Sequence, residues 1–343
     1  MPTHSILNRL PHDPRSQRGF TLIELMISLV IGLLLSAAIV KVYADTSQIY
    51  KFQNALSEVQ ENGRFASAFL RRAARLAGNF GCDASQPIAA STIPAATDTR
   101  LGFHLATTAQ PIGGVEGATA AAPDQLILRG STGGGVRLEL PNPATIADPL
   151  TVETTAGLTD DGFAVISDCA QTHIFSITGL GGGGTTITHS GTTALYTFEG
   201  GARVQEIQVI QYCIGQATAW TATNNLMALK RLINPDAGEN CPDRGVGEEL
   251  VEGIQNLQVS YGVDTNNDTF ANRYINAPAT LGDALWASVK TLRIELVARS
   301  LANGITRNLV PYTLGGVEVP LGANDRYLYK VMTNTITLRN KGT

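Results

Sequence analysis

The chain has 343 residues, 43% of them hydrophobic and 16% charged, and its formal net charge is −4 at pH 7. A chain of this length and apolar content can bury a substantial core, in one domain or in two sub-domains. The mildly acidic balance argues against nucleic-acid binding through a generally basic surface, although it leaves room for a local patch. We therefore predict no nucleic-acid partner.

The first element in the chain is an apolar run from Phe20 to Val40. About 20 such residues can cross the core of a bilayer as a helix, so we predict a membrane span over 20–40. Arginines at positions 9, 15 and 18 precede the run, whereas Lys41 is the only basic residue that follows closely. The positive-inside rule then keeps the N-terminus in the cytoplasm and sends the rest of the chain across the membrane.

Glu24 interrupts this apolar run near its start. A carboxylate within a membrane span is energetically costly and usually has a partner, which makes Glu24 a candidate functional residue. One alternative is that Glu24 lies at headgroup depth, where it costs little. Another is an ordinary secretory signal peptide that is cut after the small-residue stretch Val42-Tyr43-Ala44. The long basic region and the glutamate inside the apolar region argue against a signal peptide.

The run Gly19–Leu25 (GFTLIEL) resembles the type III signal of type IV pilins and type II secretion pseudopilins. The resemblance implies that residues 1–19 are a leader peptide, cut between Gly19 and Phe20 by a prepilin peptidase. Phe20 would then be N-methylated, and Glu24 would meet the N-terminal amine of a neighbouring subunit. A buried carboxylate is costly alone but tolerable when paired. Without the leader, which holds three Arg and one Asp, the net charge changes from −4 to −6.

Beyond the membrane run, apolar residues keep recurring at intervals of three and four. They are Ile49, Phe52, Leu56, Val59, Ala66, Phe69, Leu70, Ala73 and Leu76. This period is that of an amphipathic helix lying on a core, so we predict one helix over 20–78 that stops at Gly78. Gly63 interrupts the helix at a cost of about 1 kcal/mol relative to alanine.

Four arginines lie on the last part of this helix, at Arg64, Arg71, Arg72 and Arg75. They could meet acidic partners in a subunit complex. A charge run on a helix is more often its solvated face, and that interpretation is preferred here.

From Cys82 the sequence changes to short β-type runs separated by Gly, Pro, Asn and Asp. We predict an α+β fold: the long N-terminal helix, membrane-spanning in its first half, packs on an antiparallel, β-sheet-rich globular head over 79–343. An inserted sub-domain at about 85–160 is expected within the head. The predicted strands are 125–129, 136–140, 163–167, 173–177, 185–189, 195–198, 204–214, 227–232, 254–262, 291–300 and 327–338, with a hairpin tip at 181–184.

All four cysteines, Cys82, Cys169, Cys213 and Cys241, fall in the exported part of the chain. An oxidising compartment favours disulfides, and four cysteines allow three pairings. We favour Cys82 with Cys169 and Cys213 with Cys241, because these pairs join neighbours in chain order. The spacing has no Cys-x-x-Cys and no nearby histidine, so it does not indicate a zinc site.

The loop Asp264–Asn272 (DTNNDTFAN) carries oxygen side chains at alternating positions, as calcium loops do. The ligands would be Asp264, Asn266, Asp268, the Phe270 carbonyl and Asn272. Thr269 and Ile275, however, stand where an EF-hand needs glycine and glutamate. The alternative, a polar turn between strands, is preferred. Calcium is the one cofactor considered, and none is otherwise predicted.

Further segments narrow the family. They are 61–66 (ENGRFA), Arg72, 77–78, 81–82, 167–170 (SDCA), 249–254 (ELVEGI), 261–264 (YGVD) and 337–340 (TLRN). These segments resemble PilW-type minor pilins of the type IV pilus. The mature chain has three histidines, and neither His-Glu-x-x-His nor Gly-x-Ser-x-Gly occurs, so the residues agree with a non-catalytic protein.

The resemblance implies a low-abundance subunit that primes pilus assembly and joins the tip complex, with roles in cell adhesion and twitching motility. The expected partners are other minor pilins, a tip adhesin, the major pilin and the prepilin peptidase/methyltransferase. The precursor is expected to be a single-pass inner-membrane protein with its head in the periplasm, and the mature protein to lie at the pilus tip. The alternatives are a minor type II secretion pseudopilin and a membrane-tethered periplasmic enzyme or ligand-binding protein.

Overall fold

One long helix comes first in the described part of the chain, and β-strands make up most of the described head. A computed structural model describes residues 19–81, 111–119, 122–139, 148–168, 172–190, 198, 201–235, 241, 245–278 and 284–339. The chain forms two compact units, Met1–Lys51 and Phe52–Thr343. The helix and the antiparallel sheets confirm the predicted α+β fold.

The helix, α1, runs without a break over Leu22–Leu76, which is 55 residues. It ends in a turn at 77–78, where Gly78 has φ 78°. A positive φ is costly for residues with a Cβ and open to glycine, so Gly78 stops the helix as the sequence predicts.

The strands of the described residues are numbered in chain order. They are β1 (Ile112–Val115), β2 (Gln125–Arg137), β3 (Leu150–Thr151), β4 (Phe163–Ser167), β5 (Thr172–Gly181), β6 (Thr186–Ser190), β7 (Arg203–Gln216), β8 (Met227–Ile233), β9 (Glu248–Glu252), β10 (Ile254–Val263), β11 (Arg273–Ile275), β12 (Val289–Arg299), β13 (Tyr312–Leu314), β14 (Val317–Val319) and β15 (Tyr329–Thr337). A 3₁₀ helix, Ala284–Ser288, precedes β12.

The larger sheet has nine strands and is organised around β7. Along one edge of β7, β2 pairs with residues 203–212; along the other edge, β4 pairs with 203–206 and β8 with 210–216. The sheet therefore forks at β7: one branch continues from β4 to β5, β6 and β3, and the other from β8 to β9. The strands β1 and β2, which fall in the expected insertion at 85–160, are part of this sheet.

The two strands predicted at 125–129 and 136–140 are largely one strand, β2. The pairing of β2 with β7 shifts register between Thr132 and Val136, where Gly133 and Gly135 have positive φ. The glycines therefore form a bulge inside one strand instead of a turn between two. The glycine run at 182–184 does form a turn, between β5 and β6. The strand predicted at 195–198 lies outside the described residues except for Phe198, which is not in a strand.

The second sheet has the order β11-β10-β12-β15, and a separate hairpin pairs β13 with β14. One core cluster joins side chains of α1 with those of both sheets. The Asp124 carboxylate adds a polar link, because it accepts the backbone N–H of Gly117 and of Val259, both at 2.8 Å. Burial raises the pKa of Asp124, and these two N–H groups partly offset that rise.

The buried face of the second half of α1 is a narrow stripe of mostly small side chains. The stripe comprises Ala55, Val59, Gly63, Ala66, Ser67, Leu70 and Ala74. A Cβ on Gly63 would overlap the end of the Met332 side chain on β15, so this glycine allows the helix to lie close to the sheet. Asn334 on β15 donates to Ser67 Oγ at 3.0 Å and accepts from Arg71 Nη2 at 3.1 Å.

The sequence pattern overestimated the width of this buried face. Phe52, Phe69 and Leu76 fit the helical period but are 39%, 42% and 57% exposed. Small residues bring the backbone of α1 close to the strands, and the larger side chains beside them are displaced to the flank. The prediction that these three residues and Ile49, which is 57% exposed, lie on the core was wrong.

Candidate functional site

The start of α1 carries a reciprocal set of hydrogen bonds between Thr21 and Glu24. The backbone N–H and the hydroxyl of Thr21 both donate to Glu24 Oε2 at 2.9 Å, and the Glu24 backbone N–H donates to Thr21 Oγ1 at 3.3 Å. This arrangement is a capping box, which satisfies backbone donors that a helix start leaves unpaired. The T-x-x-E spacing is its sequence signal, and the interpretation of Glu24 as a membrane carboxylate alone misses Thr21.

One of the two oxygens of the Glu24 carboxylate remains available as an acceptor. Both Thr21 donors reach Oε2, and no described residue donates a hydrogen bond to Oε1 of Glu24. An ionised carboxylate has about four acceptor positions on its two oxygens. Thr21 therefore holds the orientation of the group, while Oε1 can accept a donor from another molecule.

A mostly apolar, exposed helix surface surrounds this carboxylate. Every residue from 19 to 44 is exposed, including Phe20 at 90% and Leu22 at 78%. Among the described residues, Leu22–Leu76 is the one helix long and apolar enough to cross a membrane, and its most apolar 18-residue window has a mean hydropathy of 2.5. Such a surface requires lipid or other apolar helices around it.

The predicted cleavage residues lie just ahead of the helix. Gly19 and Phe20 are exposed and outside regular secondary structure, and a Cβ on Gly19 would meet no atom within 4 Å. An accessible peptide bond outside regular secondary structure is the kind of substrate that a peptidase can bind.

Cys213 on β7 and Cys241 are joined in a disulfide, with their Cα atoms 6.1 Å apart. Cys82 and Cys169 lie outside the described residues, but their described neighbours touch. A Cβ on Gly81 would come within 2.5 Å of the Ser167 Cβ. We therefore retain the pairing of Cys82 with Cys169 as a proposal.

The loop predicted as a calcium site or a polar turn is internally hydrogen-bonded. Asp264 accepts the Thr269 N–H at 2.8 Å, and Asp268 accepts the Phe270 N–H at 2.9 Å. Asn272 accepts from Thr265 and donates to Asn266. Burial alone would raise the pKa of Asp264, but the backbone N–H groups of the loop together lower it. These contacts favour the polar turn, because the side-chain oxygens of Asp264, Asn266, Asp268 and Asn272 already accept hydrogen bonds within the loop.

The described part of the chain holds no group of three or more His, Cys, Asp and Glu side chains placed to bind a metal. His104 lies outside the described residues. His173 and His189 are in the head, where their rings pack edge-on against Phe198 and Phe175, with centroids 5.3 and 5.7 Å apart. Burial lowers the pKa of both histidines. Their setting is that of core side chains.

The fold and the N-terminal site together define a class. A long helix that is apolar and exposed at its start, bears a capped glutamate, and later packs on antiparallel sheets is the architecture of a pilin-like protein. The apolar helix also satisfies the length requirement for a membrane anchor.

Comparison with protein families agrees with the pilin-like class and gives two more specific matches within it. The prokaryotic N-terminal methylation motif matches residues 14–40, and type IV pilus-assembly protein W matches residues 211–340. The chain therefore carries a prepilin methylation motif followed by a PilW domain, which holds strands β8 to β15 and the end of β7. A comparison with curated proteins gave no match.

These matches have three direct consequences. PilW proteins of the pilin family are typically structural and non-catalytic. A prepilin motif on a pilus-assembly protein implies partners in the pilus machinery. The motif and the apolar helix together indicate an inner-membrane precursor that becomes associated with the pilus.

Proposed function

We propose that the protein is a minor pilin that primes assembly of the type IV pilus and forms part of its tip complex. Residues 1–19 form the leader, a prepilin peptidase cuts after Gly19, and Phe20 is methylated on its new α-amine. The partners are other minor pilins, a tip adhesin and the major pilin. The head, residues 79–343, is then carried from the periplasm to the pilus tip.

The observation that carries the proposal is the hydrogen bonding of the Glu24 carboxylate. Its Oε2 accepts from Thr21, and its Oε1 accepts from no described residue. Cleavage after Gly19 creates an α-amine, which is cationic when protonated. The ammonium of a neighbouring subunit can bind Oε1 while Thr21 keeps Oε2. In an apolar environment the carboxylate and the ammonium are each costly when unpaired, and pairing them offsets that cost. The two groups meet only when the neighbouring helix is at one position along the helix axis. The contact therefore sets the register between adjacent helices.

The first test is the N-terminus of the mature protein, measured by mass spectrometry. The proposal expects N-methylated Phe20. A mature chain that begins at Asp45 would mean cleavage by a signal peptidase, and Glu24 would then be absent from the mature protein. That result would refute the proposal.

The second test separates the carboxylate from the helix cap. Glu24→Leu removes both hydrogen-bonding roles, whereas Thr21→Ala removes only the hydroxyl contacts that orient the carboxylate. We expect Glu24→Leu to abolish co-purification with other pilin subunits and surface piliation, and Thr21→Ala to reduce both partially. Ser28→Ala is the matched control, because the Ser28 hydroxyl donates only to the Glu24 carbonyl, at 2.7 Å. Equal piliation in the wild type and all three variants would contradict the role of Glu24.

The identity of the partners distinguishes a minor pilin from a type II secretion pseudopilin. The full chain should co-purify from membranes with pilus minor pilins. Co-purification with secretion-pseudopilus subunits instead would assign the protein to type II secretion.

A further inference from the structure

A cavity of about 400 Å³ lies in the head, between the last turns of α1 and the larger sheet. The helix contributes Phe69, Arg72 and Leu76 to its walls. The sheet contributes residues 128–132 of β2, together with side chains of β7 and β8 that include Tyr212 and Arg231. The cavity is therefore bounded by a helix on one side and a sheet on the other.

An exposed apolar ridge on α1 includes two residues of the cavity wall, Phe69 and Leu76. Phe65, Phe69 and Leu76 follow one another at spacings of four and seven residues, so they lie on one side of α1. They are 47%, 42% and 57% exposed, whereas Leu70 on the adjacent face is fully buried. Two aromatic rings and a leucine in line form an apolar ridge of the kind that interfaces use.

The walls are positively charged. Arg72 is exposed and makes no hydrogen bond or ion pair with any described residue, and residues 62–76 of α1 contain no acidic side chain. Arg231 on β8 is bound by Glu248, with Nε to Oε2 at 3.1 Å. Arg129 on β2 also lines the cavity and is 2% exposed, and its burial lowers its pKa to about 10. Of these guanidinium groups, that of Arg72 is the one placed to meet a carboxylate from another molecule.

We propose that this cleft, defined by Phe69, Arg72, Leu76, Tyr212 and Arg231, binds a segment of another pilus subunit that carries an acidic side chain next to apolar ones. The carboxylate of that segment pairs with Arg72 at the mouth of the cleft. Its apolar neighbours cover the ridge formed by Phe65, Phe69 and Leu76. The proposal rests on the proposed function for the identity of the partner, but not for the chemistry of the site.

The shape of the site favours a protein segment over a small acid. The cavity volume of about 400 Å³ lies within the range of about 300–1,000 Å³ for small-molecule pockets, so the distinction comes from the ridge beside it. The exposed ridge continues beyond it to Phe65, about three helical turns before Leu76. A ligand that pairs with Arg72 and also covers this ridge must be extended and partly apolar, as an amphipathic protein segment is.

The test converts the proposed ion pair into a covalent bond. Arg72→Lys keeps the positive charge and introduces an amine that a carbodiimide can couple to a nearby carboxylate, forming an amide as the carbodiimide takes up the water that is lost. The full-length variant is expressed in its own host, membranes are treated with the carbodiimide, and crosslinked peptides are sequenced by mass spectrometry. Arg273→Lys on β11 is the control, because Arg273 is exposed on the other sheet, away from the cleft.

We expect the amine introduced at position 72 to be linked to an Asp or Glu of another pilus subunit, at least tenfold more often than the amine introduced at position 273. The additional substitution Leu76→Asp should reduce that crosslink severalfold, because it places on the ridge a charge of the same sign as the partner's carboxylate.

The other outcomes distinguish a failure of the cleft proposal from a failure of the proposed function. Linkage from position 72 only to carboxylates of its own chain, or no dependence on Leu76, would overturn the cleft as a partner site. Linkage to a protein outside the pilus would support the cleft and contradict the proposed function. If co-purification with pilin subunits still depends on Glu24 but position 72 gives no crosslink, the proposal for the cleft is overturned and the proposed function is not.

Discussion

Replacing Leu70 with alanine tests whether the second half of α1 is an integral part of the head. Leu70 has no exposed surface and belongs to the core cluster that joins the helix to both sheets. Leu→Ala at such a site removes buried methyl groups and leaves a cavity, at a cost of about 2–5 kcal/mol. The cluster around Leu70 includes side chains of α1 and of both sheets, which limits how far the site can collapse, so we expect about 3 kcal/mol.

This free energy converts to a measurable shift in melting temperature. The unit Phe52–Thr343 unfolds with an entropy of about 2.1 cal/mol/K per residue, or about 0.6 kcal/mol/K in all. A loss of about 3 kcal/mol therefore lowers Tm by about 5 °C. The assay is thermal unfolding of the full chain in detergent, followed by tryptophan fluorescence. Trp286, one of the two tryptophans, is fully buried in the same cluster.

Leu76→Ala is the matched control, since it makes the same chemical change on the same helix at a residue that is 57% exposed. We expect it to lower Tm by less than about 2 °C, because little apolar area is buried there. Equal shifts for the two variants would refute the assignment of the buried face and, with it, the exposed ridge beside the cleft.

Three further predictions concern the head. Stability should fall as the pH drops from about 7 to about 5, because burial lowers the pKa of His189 in the folded state. The unfolded chain, in which the His189 pKa is near 6.5, then binds the proton first. His189→Phe should make Tm depend less on pH over this range. Asp264→Ala should speed amide hydrogen exchange in the loop 265–270, and calorimetry should show no heat with millimolar calcium; heat that Asp264→Ala abolishes would instead support the calcium site. Peptide mapping of the unreduced protein should find Cys82 linked to Cys169, and any other partner for Cys82 would contradict the retained pairing.

The N-terminal site is largely readable from the sequence because its chemistry is local. An apolar run of membrane length, the glutamate inside it and the T-x-x-E box need no contact with the rest of the chain to be recognised. Strands with a strong run of apolar residues, such as β4 and β8, were predicted within one residue of their observed ends. Short strands such as β11 were not found, because three residues carry too little pattern.

A membrane-length helix with a placed carboxylate, a methylation motif and a β-rich head can all be inferred from the sequence alone. Which side of the second half of α1 is buried depends instead on three-dimensional packing. Phe69 and Leu76 have the period of core residues, but Gly63 and Ala66 let the backbone lie against β15, and the large side chains are left on the flank. Periodicity identifies a helical face only to within about 100°, and packing distance determines which part of that face the sheet covers.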